Sequence, residues 1–549
     1  MFYLYDLATY SKNYGSISTP TYADDDDHCE DQDSSSDSLL WSDDDAEAVV
    51  AATAWEERRR RQRRRRRRRQ GQERLLNIDE AIQSLGMGMF QYRIGLAAGM
   101  LLAADSMEVV ILSFLSNLFS HHPIINLQEA ENSAEAMNMV VFPAGVVGAI
   151  VWGMLSDGIG RRPVFVGAAT TIAMFGVGTA FCNSYGWLLV TRLFVAFGIG
   201  GLTVPFCTFS EFLPPSQRGT NLIGVQVFCI LGALVVHLTL AQPDLQAWRL
   251  IVVLLSIPSI LAMVLGLTVV PESPRWLLAQ DRQDEALAIF RVAAKANGKD
   301  PDTLFPLGTI LYSHEPQEST GGICTIFSSG WISLTSTLWT TYFGMSFLTH
   351  GTIALAVAVF GNDARQQNYQ GIFTAASQFL SLIIVLFLID GFGRSSTQCL
   401  SYALGGLLCL AISLLEDGDP TTSSDLLLVL TFLAHTCMFG GKCATWISTT
   451  EVLATELRST GHGMANAISR IGGFISSYIV TRIYSLPSIG LALFVISLWT
   501  ASAASKLPET NVKEMGVVYY PTNATAHHHH HPHTPHRRRR CTAEPESAT

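Results

Sequence analysis

Charge is scarce in this sequence. Only 15% of the 549 residues are Asp, Glu, Lys or Arg, while 48% are hydrophobic; a soluble protein carries roughly a quarter charged residues. That balance excludes an ordinary soluble enzyme, and the apolar content excludes a wholly disordered chain. Paired cysteine is missing as well. The ten cysteines stand singly, mostly inside apolar runs and without a CxxC spacing, which argues against disulfide or zinc frameworks. No secretory leader is read, because the first apolar run begins only after residue 93. No nucleophile–base set or metal-ligand spacing stands out, so neither an enzyme, a metal nor a cofactor is expected.

The charge that is present is segregated. Residues 1–92 hold 18 acidic and 13 basic side chains, far above their share of the chain. Within them, residues 24–47 are acidic and Ser-rich, and Arg58 to Arg61 with Arg63 to Arg69 form an arginine block. That block is expected to meet anionic lipid headgroups beside the first span, whereas nucleic acid is an improbable partner for a membrane-tethered segment. Ser42, followed by Asp43 to Asp45, reads as an acidophilic kinase site. Residues His527 to His531, His533 and His536 form a His tract that either binds metal or does nothing specific.

Twelve apolar runs are each long enough to cross a hydrocarbon core of about 30 Å. They cover 94–116, 137–155, 163–182, 187–209, 222–241, 249–270, 337–359, 371–389, 398–415, 426–448, 463–484 and 487–506. The expected fold is therefore all-α, with twelve transmembrane helices. The stretches after spans two, four, six, eight and ten carry Arg161, Arg162, Arg218, Arg275, Arg282, Arg291, Lys295, Lys299, Arg394 and Arg458. The loops after spans one and nine carry Glu129, Glu131, Glu135, Glu416, Asp417 and Asp419, with no Lys or Arg. Positive residues mark the cytoplasmic side, so both termini are expected there, and the lone sequon Asn523-Ala524-Thr525 would face the wrong compartment. The organisation read from this is a charged cytoplasmic tail (1–92), a six-helix bundle (93–270), a cytoplasmic loop with amphipathic helices (271–336), a second six-helix bundle (337–506) and a His/Arg-rich cytoplasmic tail (507–549). A monomer is expected.

The two halves repeat one another. Asp157-Gly158-Ile159-Gly160-Arg161 returns as Asp390-Gly391-Phe392-Gly393-Arg394, Glu211 with Arg218 returns as Glu451 with Arg458, and Pro271-Glu272-Ser273 returns as Pro508-Glu509-Thr510. Three signatures in one order and nearly one register imply two homologous bundles related by a parallel repeat.

These residues carry a resemblance. GMLSDGIGRRPVF (153–165) resembles the loop signature of the major facilitator superfamily. RLFVAFGIGG (192–201), EFLPPSQRG (211–219), PESPRWLL (271–278) and EVLATELRSTG (451–461) are similar to its sugar-porter and organic-ion branches. FQYRIGLAAGMLLAADSMEVVILSF (90–114) and ANAISRIGG (465–473) resemble the synaptic-vesicle-2-related proteins and their organic-ion relatives. The resemblance covers about residues 79–515 and implies alternating access between two bundles.

The charge clusters are read as a gate. Asp157, Arg161 and Arg162 are expected to face Glu211 and Arg218, and Asp390 and Arg394 to face Glu451 and Arg458, with Gly160 permitting a tight turn. Such pairs hold one face shut and break when it opens. The resemblance implies this role too and extends it to Glu272 and Arg275; the alternative is that the charges only anchor the topology. Ser395 replaces the second arginine in the second copy, so a weaker latch is expected there.

A second group lies inside the spans. Asp105 falls at mid-bilayer, where a carboxylate costs about 2.5–3.5 kcal/mol on insertion scales. With Arg192 as a movable partner and Glu108 in support it reads as a proton carrier; proton-coupled porters of the resembling branches place an acid and an Arg at matching positions. The alternatives are a static ion pair or an acid for a cationic substrate. Lys442 and Arg470 suggest an anionic ligand, against snorkelling for Lys442 and pairing with Glu451 or Glu456 for Arg470. Gln226 matches a hydroxyl-binding Gln of sugar porters, but span seven lacks that family's paired glutamines. His350, Tyr342 and Phe347 either line the same cavity or pack. The leading expectation is a proton-coupled carrier of a small organic anion. A sugar, polyol or organic-cation carrier, or a non-transporting receptor or scaffold, is the alternative.

Overall fold

In the computed structural model, residues 75–121, 133–240, 248–314, 323–360, 364–418, 424–482, 485–511 and 515 are described. The acidic stretch, Ser42, the arginine block, the sequon, the His tract and Arg537 to Arg540 lie outside them. So do the side chains of Glu129, Glu131, Glu135, Glu416, Asp417 and Asp419.

Helix occupies every expected span. Spans one to three are Met89–His121, Ser133–Ile159 and Arg161–Thr179. Span four comes in two pieces, Tyr185–Gly200 and Thr203–Ser210, because Gly200 and Gly201 interrupt the helical run. Span five is Arg218–Leu240. Span six is also divided, into Trp248–Leu255 and Ile257–Thr268, with Pro258 in the first turn of the second piece, where its missing N–H costs nothing. Spans seven to twelve are Ile332–Phe360, Ala364–Gly391, Arg394–Gly418, Ser424–Val452, Arg458–Arg482 and Leu486–Ala504. Eight of the described helices meet a strict length and apolarity criterion for crossing a membrane. Their outer faces are apolar, with Phe181, Trp187, Leu250, Phe387 and Trp499 exposed, as a lipid solvent requires.

Packing follows the sequence repeat. Span one packs on five and six, two on four, and three on four and six; span seven packs likewise on eleven and twelve, eight on ten, and nine on ten and twelve. The two bundles meet along two symmetry-related seams, span two against eleven and span five against eight. Glycine permits the closest approaches. A Cβ on Gly463 of span eleven would sit on the carbonyl oxygen of Ala149 in span two, and one on Gly153 would lie 2.6 Å from the carbonyl oxygen of Ser459. Gly463→Leu is therefore expected to force this seam apart. Overpacking of this kind costs roughly 1–3 kcal/mol, to be read as a lowered melting temperature of the purified protein.

Between the bundles, the amphipathic pattern of 281–298 becomes the helix Gln283–Ala296, preceded by Pro274–Ala279 and followed by Pro301–Leu304. A short helix before span one, Ile78–Leu85, packs on Gln283–Ala296. The strand ahead of it, Leu75–Asn77, pairs in parallel with Ile310–Tyr312 of the connecting segment.

Candidate functional site

The duplicated turns build the first part of the site. Gly160 adopts φ +108° and Gly393 φ +90°, both in the region that favours glycine. Each turn is followed by a helix whose first N–H groups need acceptors. Glu272 accepts from the N–H of Arg161 at 2.7 Å and of Arg162 at 3.3 Å; Glu509 accepts from the N–H of Arg394 at 2.9 Å and of Ser395 at 3.2 Å. A Cβ on either glycine would strike that carboxylate. Glu272 thus acts on backbone amides and caps a helix, whereas the sequence had grouped it with the gate charges.

The next layer joins the two bundles. Asp157 pairs with Arg161 at 3.2 Å and accepts from the N–H groups of Ser459 (3.3 Å) and Thr460 (2.7 Å). A carboxylate of the first bundle therefore caps a helix of the second, where the helix dipole favours it. The symmetry-related contact is the Thr220 hydroxyl, which donates to Asp390 at 2.9 Å. Arg161 also donates to the Thr455 carbonyl at 2.5 Å and lies 3.5 Å from Glu211.

The conserved-spacing acids then cross over. Glu211 pairs with Arg458 of the other bundle at 2.6 Å, and Glu451 reaches Arg218 of the other bundle at 3.8 Å while pairing with Arg394 at 3.1 Å. Facing within each half, expected from the sequence, is thus corrected: Arg161–Glu211 and Arg394–Glu451 stay within a bundle, but Arg218 and Arg458 exchange acids. A sequence repeat reveals equivalent residues, not whether equivalents meet across a two-fold axis. All six of these groups are buried. Arg162 departs further. It is half-buried and donates to the Leu267 carbonyl at 2.9 Å, outside the ionic layer. Ser395 makes the equivalent bond to the Ala504 carbonyl, also at 2.9 Å, so the missing arginine leaves that tie intact. Arg275 turns to Asp79 of the short helix before span one, at 2.5 Å.

Deeper in the bundles, Arg192 pairs with Glu108 at 2.6 Å and donates to the Thr179 hydroxyl. Asp105 is not its partner. The two acids are three residues apart on span one, close to one turn, and Glu108 is the one on the side of spans three and four. Asp105 makes no hydrogen bond or ion pair among the described residues; the cations within electrostatic reach of it are Arg470 and Lys442 of the other bundle. Arg470 crosses the seam, its side chain against Gly145 and its guanidinium donating to the Ile199 carbonyl at 3.3 Å. Glu451 is occupied elsewhere and does not take Arg470. Lys442 lies over the Phe439 ring at 5.7 Å. His350 directs Nδ1 to the Ser346 carbonyl at 2.9 Å and packs over Gly473, within reach of both cations. Gln226 is buried in span five. Tyr342 and Phe347 are packed, against His462 and Phe343 respectively.

The geometry is that of two pseudo-symmetric bundles shut at one face by exchanged ion pairs, with charged side chains stranded between them. The protein-family model described as "Sugar (and other) transporter" matches residues 81–514. The chain belongs to this family. It is a multi-pass membrane transporter of the major facilitator superfamily, not an enzyme. The synaptic vesicle 2-related protein of Xenopus laevis is 28% identical over 446 residues, covering 76% of this chain and 78% of that protein. The organic cation/carnitine transporter 7 of Arabidopsis thaliana is 28% identical over 449 residues, covering 72% and 86%. Among solved structures, the proton:xylose symporter XylE bound to 6-bromo-6-deoxy-D-glucose superposes with a TM-score of 0.61 at 20% identity, covering 78% of this chain and 98% of that one. The human organic anion transporter MFSD10 gives 0.52 at 16% identity, covering 76% and 97%. At these identities the structures show the shared fold.

Several residues of this ionic layer were not singled out by the sequence. Asp79 lies before the first span, where an acid looks like ordinary tail charge. Thr455, Ser459 and Thr460 contribute backbone groups and small hydroxyls, neither of which stands out in a sequence searched for charge. Glu509 and Asn511 were the most accessible: the repeat of Pro271-Glu272-Ser273 at 508–510 already marked Glu509, and Asn511 follows it, donating to the Asp390 carbonyl at 2.9 Å.

Proposed function

We propose that this transporter is a proton-coupled carrier of a small organic anion, working as a monomer by alternating access, with its basic face and both termini in the cytoplasm. The observation that carries the reading is the opposition of one carboxylate, Asp105, to two cations of the other bundle, Lys442 and Arg470, without direct contact. Ionised, Asp105 offsets part of their charge and repels an entering anion. Protonated, it leaves two cations for the solute. Proton and anion then favour each other's binding, and by linkage the coupling is reciprocal. Removal of the solute restores the competition and releases the proton.

The test is uptake into proteoliposomes under an imposed pH gradient. Asp105→Asn is expected to abolish gradient-driven accumulation while anion exchange persists. Intact accumulation in that variant would sink the coupling. Lys442→Gln and Arg470→Gln are each expected to raise the apparent Kd of the anion about 10–100-fold, the equivalent of a hydrogen bond to a charged group. A second reading, a carrier of sugars or polyols, is supported by Gln226, buried in span five without a hydrogen bond among the described residues. Competition by a polyol panel against a carboxylate panel decides between them.

A further inference from the structure

His350 is held along one edge of its ring, and that hold decides what the other edge offers. The residue lies near the middle of span seven and is half-buried. Its Nδ1 is 2.9 Å from the Ser346 carbonyl oxygen, one turn back on the same helix. A carbonyl only accepts, so Nδ1 carries the proton and donates. The Ser346 hydroxyl is the longer contact, at 3.4 Å, and rotates to suit. The same edge rests on span eleven, where a Cβ on Gly473 would fall 2.8 Å from Cε1 and 2.9 Å from Nδ1. Glycine at that position gives the imidazole its seat. At neutral pH an imidazole is ordinarily uncharged, so Nε2 presents a lone pair. Nε2 makes no hydrogen bond among the described residues.

That lone pair stands where its neighbours supply donors. Lys442 and Arg470, within electrostatic reach of His350, bring only N–H groups. While the space between the bundles holds water, water donates to Nε2. Once the bundles close round a solute, the solute has to supply that donor, because an acceptor left without one bears its full desolvation cost. An ammonium would be repelled by the two cations, and a carbonyl or second carboxylate offers only another lone pair. A hydroxyl satisfies the position. It has to lie close to the solute's charge, since His350 is beside the groups that take that charge. We propose that His350 sets the specificity of the site: its Nε2 accepts from the hydroxyl of a 2-hydroxycarboxylate whose carboxylate lies on Lys442 and Arg470. Carboxylates with an oxo group in place of that hydroxyl are the disfavoured class.

Because this assignment rests on the anion reading of the proposed function and not on proton coupling, binding is measured without a pH gradient. The purified full chain in lipid nanodiscs at neutral pH is titrated with two pairs of acids that share a skeleton, lactate with pyruvate and mandelate with phenylglyoxylate. Apparent Kd values follow from the ligand-dependent rise in melting temperature. In at least one pair the hydroxy acid is expected to bind about 10–100-fold more tightly than its oxo partner, the effect of an acceptor left unpaired. His350→Phe keeps a flat ring over Gly473 without the lone pair, and is expected to abolish that preference mainly by weakening the hydroxy acid. His350→Gln, whose side-chain oxygen can accept in place of Nε2, is expected to restore part of it. A merely structural role would weaken both members of a pair alike, and a preference unchanged in His350→Phe would overturn the role of His350. If that variant does not fold, His350→Leu supplies the same comparison. Equal binding in both pairs of the unaltered protein, or tighter binding of the oxo acids, would overturn the 2-hydroxy assignment and leave the anion reading standing. Binding by neither pair would overturn this inference, and a polyol bound in their place would overturn the anion reading as well.

Discussion

Glu211→Gln is expected to unlatch the sealed face and leave the transporter predominantly open there. Glu211 is fully buried between Arg458 of the opposite bundle at 2.6 Å and Arg161 of its own at 3.5 Å. Stranding a buried charge costs about 3–5 kcal/mol, and here two guanidiniums lose their shared acid. The loss falls on the sealed state alone, because in the open state both arginines reach water. A two-state balance shifts tenfold for every 1.4 kcal/mol, so a change of about 100–4,000-fold is expected. Cys207 reports it. Its thiol is buried behind the ionic layer, with Sγ 3.3 Å from Nδ1 of His462 across the seam. Maleimide modification of Cys207 from the basic face, absent in a Cys207→Ala control, is expected to accelerate by a similar factor. The exchange Glu211→Arg with Arg458→Glu is expected to recover part of the protection. Equal modification rates in Glu211→Gln and the unaltered protein would show that this pair does not close the gate. The symmetry-related Glu451→Gln is expected to have the smaller effect, because Arg218 keeps Asp79 and Arg394 keeps Asp390.

The fold was legible because its main signals are local. Lipid demands long apolar helices, and a duplicated chain repeats its turn residues at a nearly fixed offset, so spans and bundles follow from composition and spacing. The glycine turns were legible for the same reason: a residue at φ +108° with a carboxylate against it leaves little choice but glycine. What the sequence did not carry was which charge meets which. Glu211 and Arg218 are seven residues apart and look like partners, yet each finds its exchange partner some 240 residues away in the other half. Pairing across a two-fold axis depends on how the bundles are rotated against each other, a property of the assembled molecule rather than of any segment. The same limit explains Asp79, which acquires meaning only when the segment before span one is placed beside Arg275 and Arg218.

Glu108 and Asp105 give the sharpest contrast, and opposite outcomes are expected for them. The sequence placed both acids in one proton-carrying site with Arg192. The structure gives them different partners, Glu108 toward spans three and four and Asp105 toward the other bundle. Arg192 and Glu108 are both about 2% exposed and joined at 2.6 Å, with Thr179 taking a second donor of the guanidinium. A pair so enclosed within a single bundle has no opening seam at which to exchange partners, so it is expected to orient spans one and four statically. Glu108→Gln leaves a buried guanidinium without its counter-ion and is expected to destabilise the fold by about 3–5 kcal/mol, read as a lower melting temperature. The double variant Glu108→Gln/Arg192→Met removes both charges and is expected to recover most of that loss, since replacing a buried ion pair by apolar packing is often close to neutral. Its pH-gradient-driven uptake is expected to persist. Asp105→Asn, by contrast, removes an acid that has no ion-pair contact among the described residues, so its melting temperature is expected to hold while gradient-driven accumulation disappears. A double variant that is stable but uncoupled would move the proton site from Asp105 to Glu108. Only a carrier that loses coupling through Asp105, with Glu108 and Arg192 already removed, fits a proton held between the bundles rather than within one.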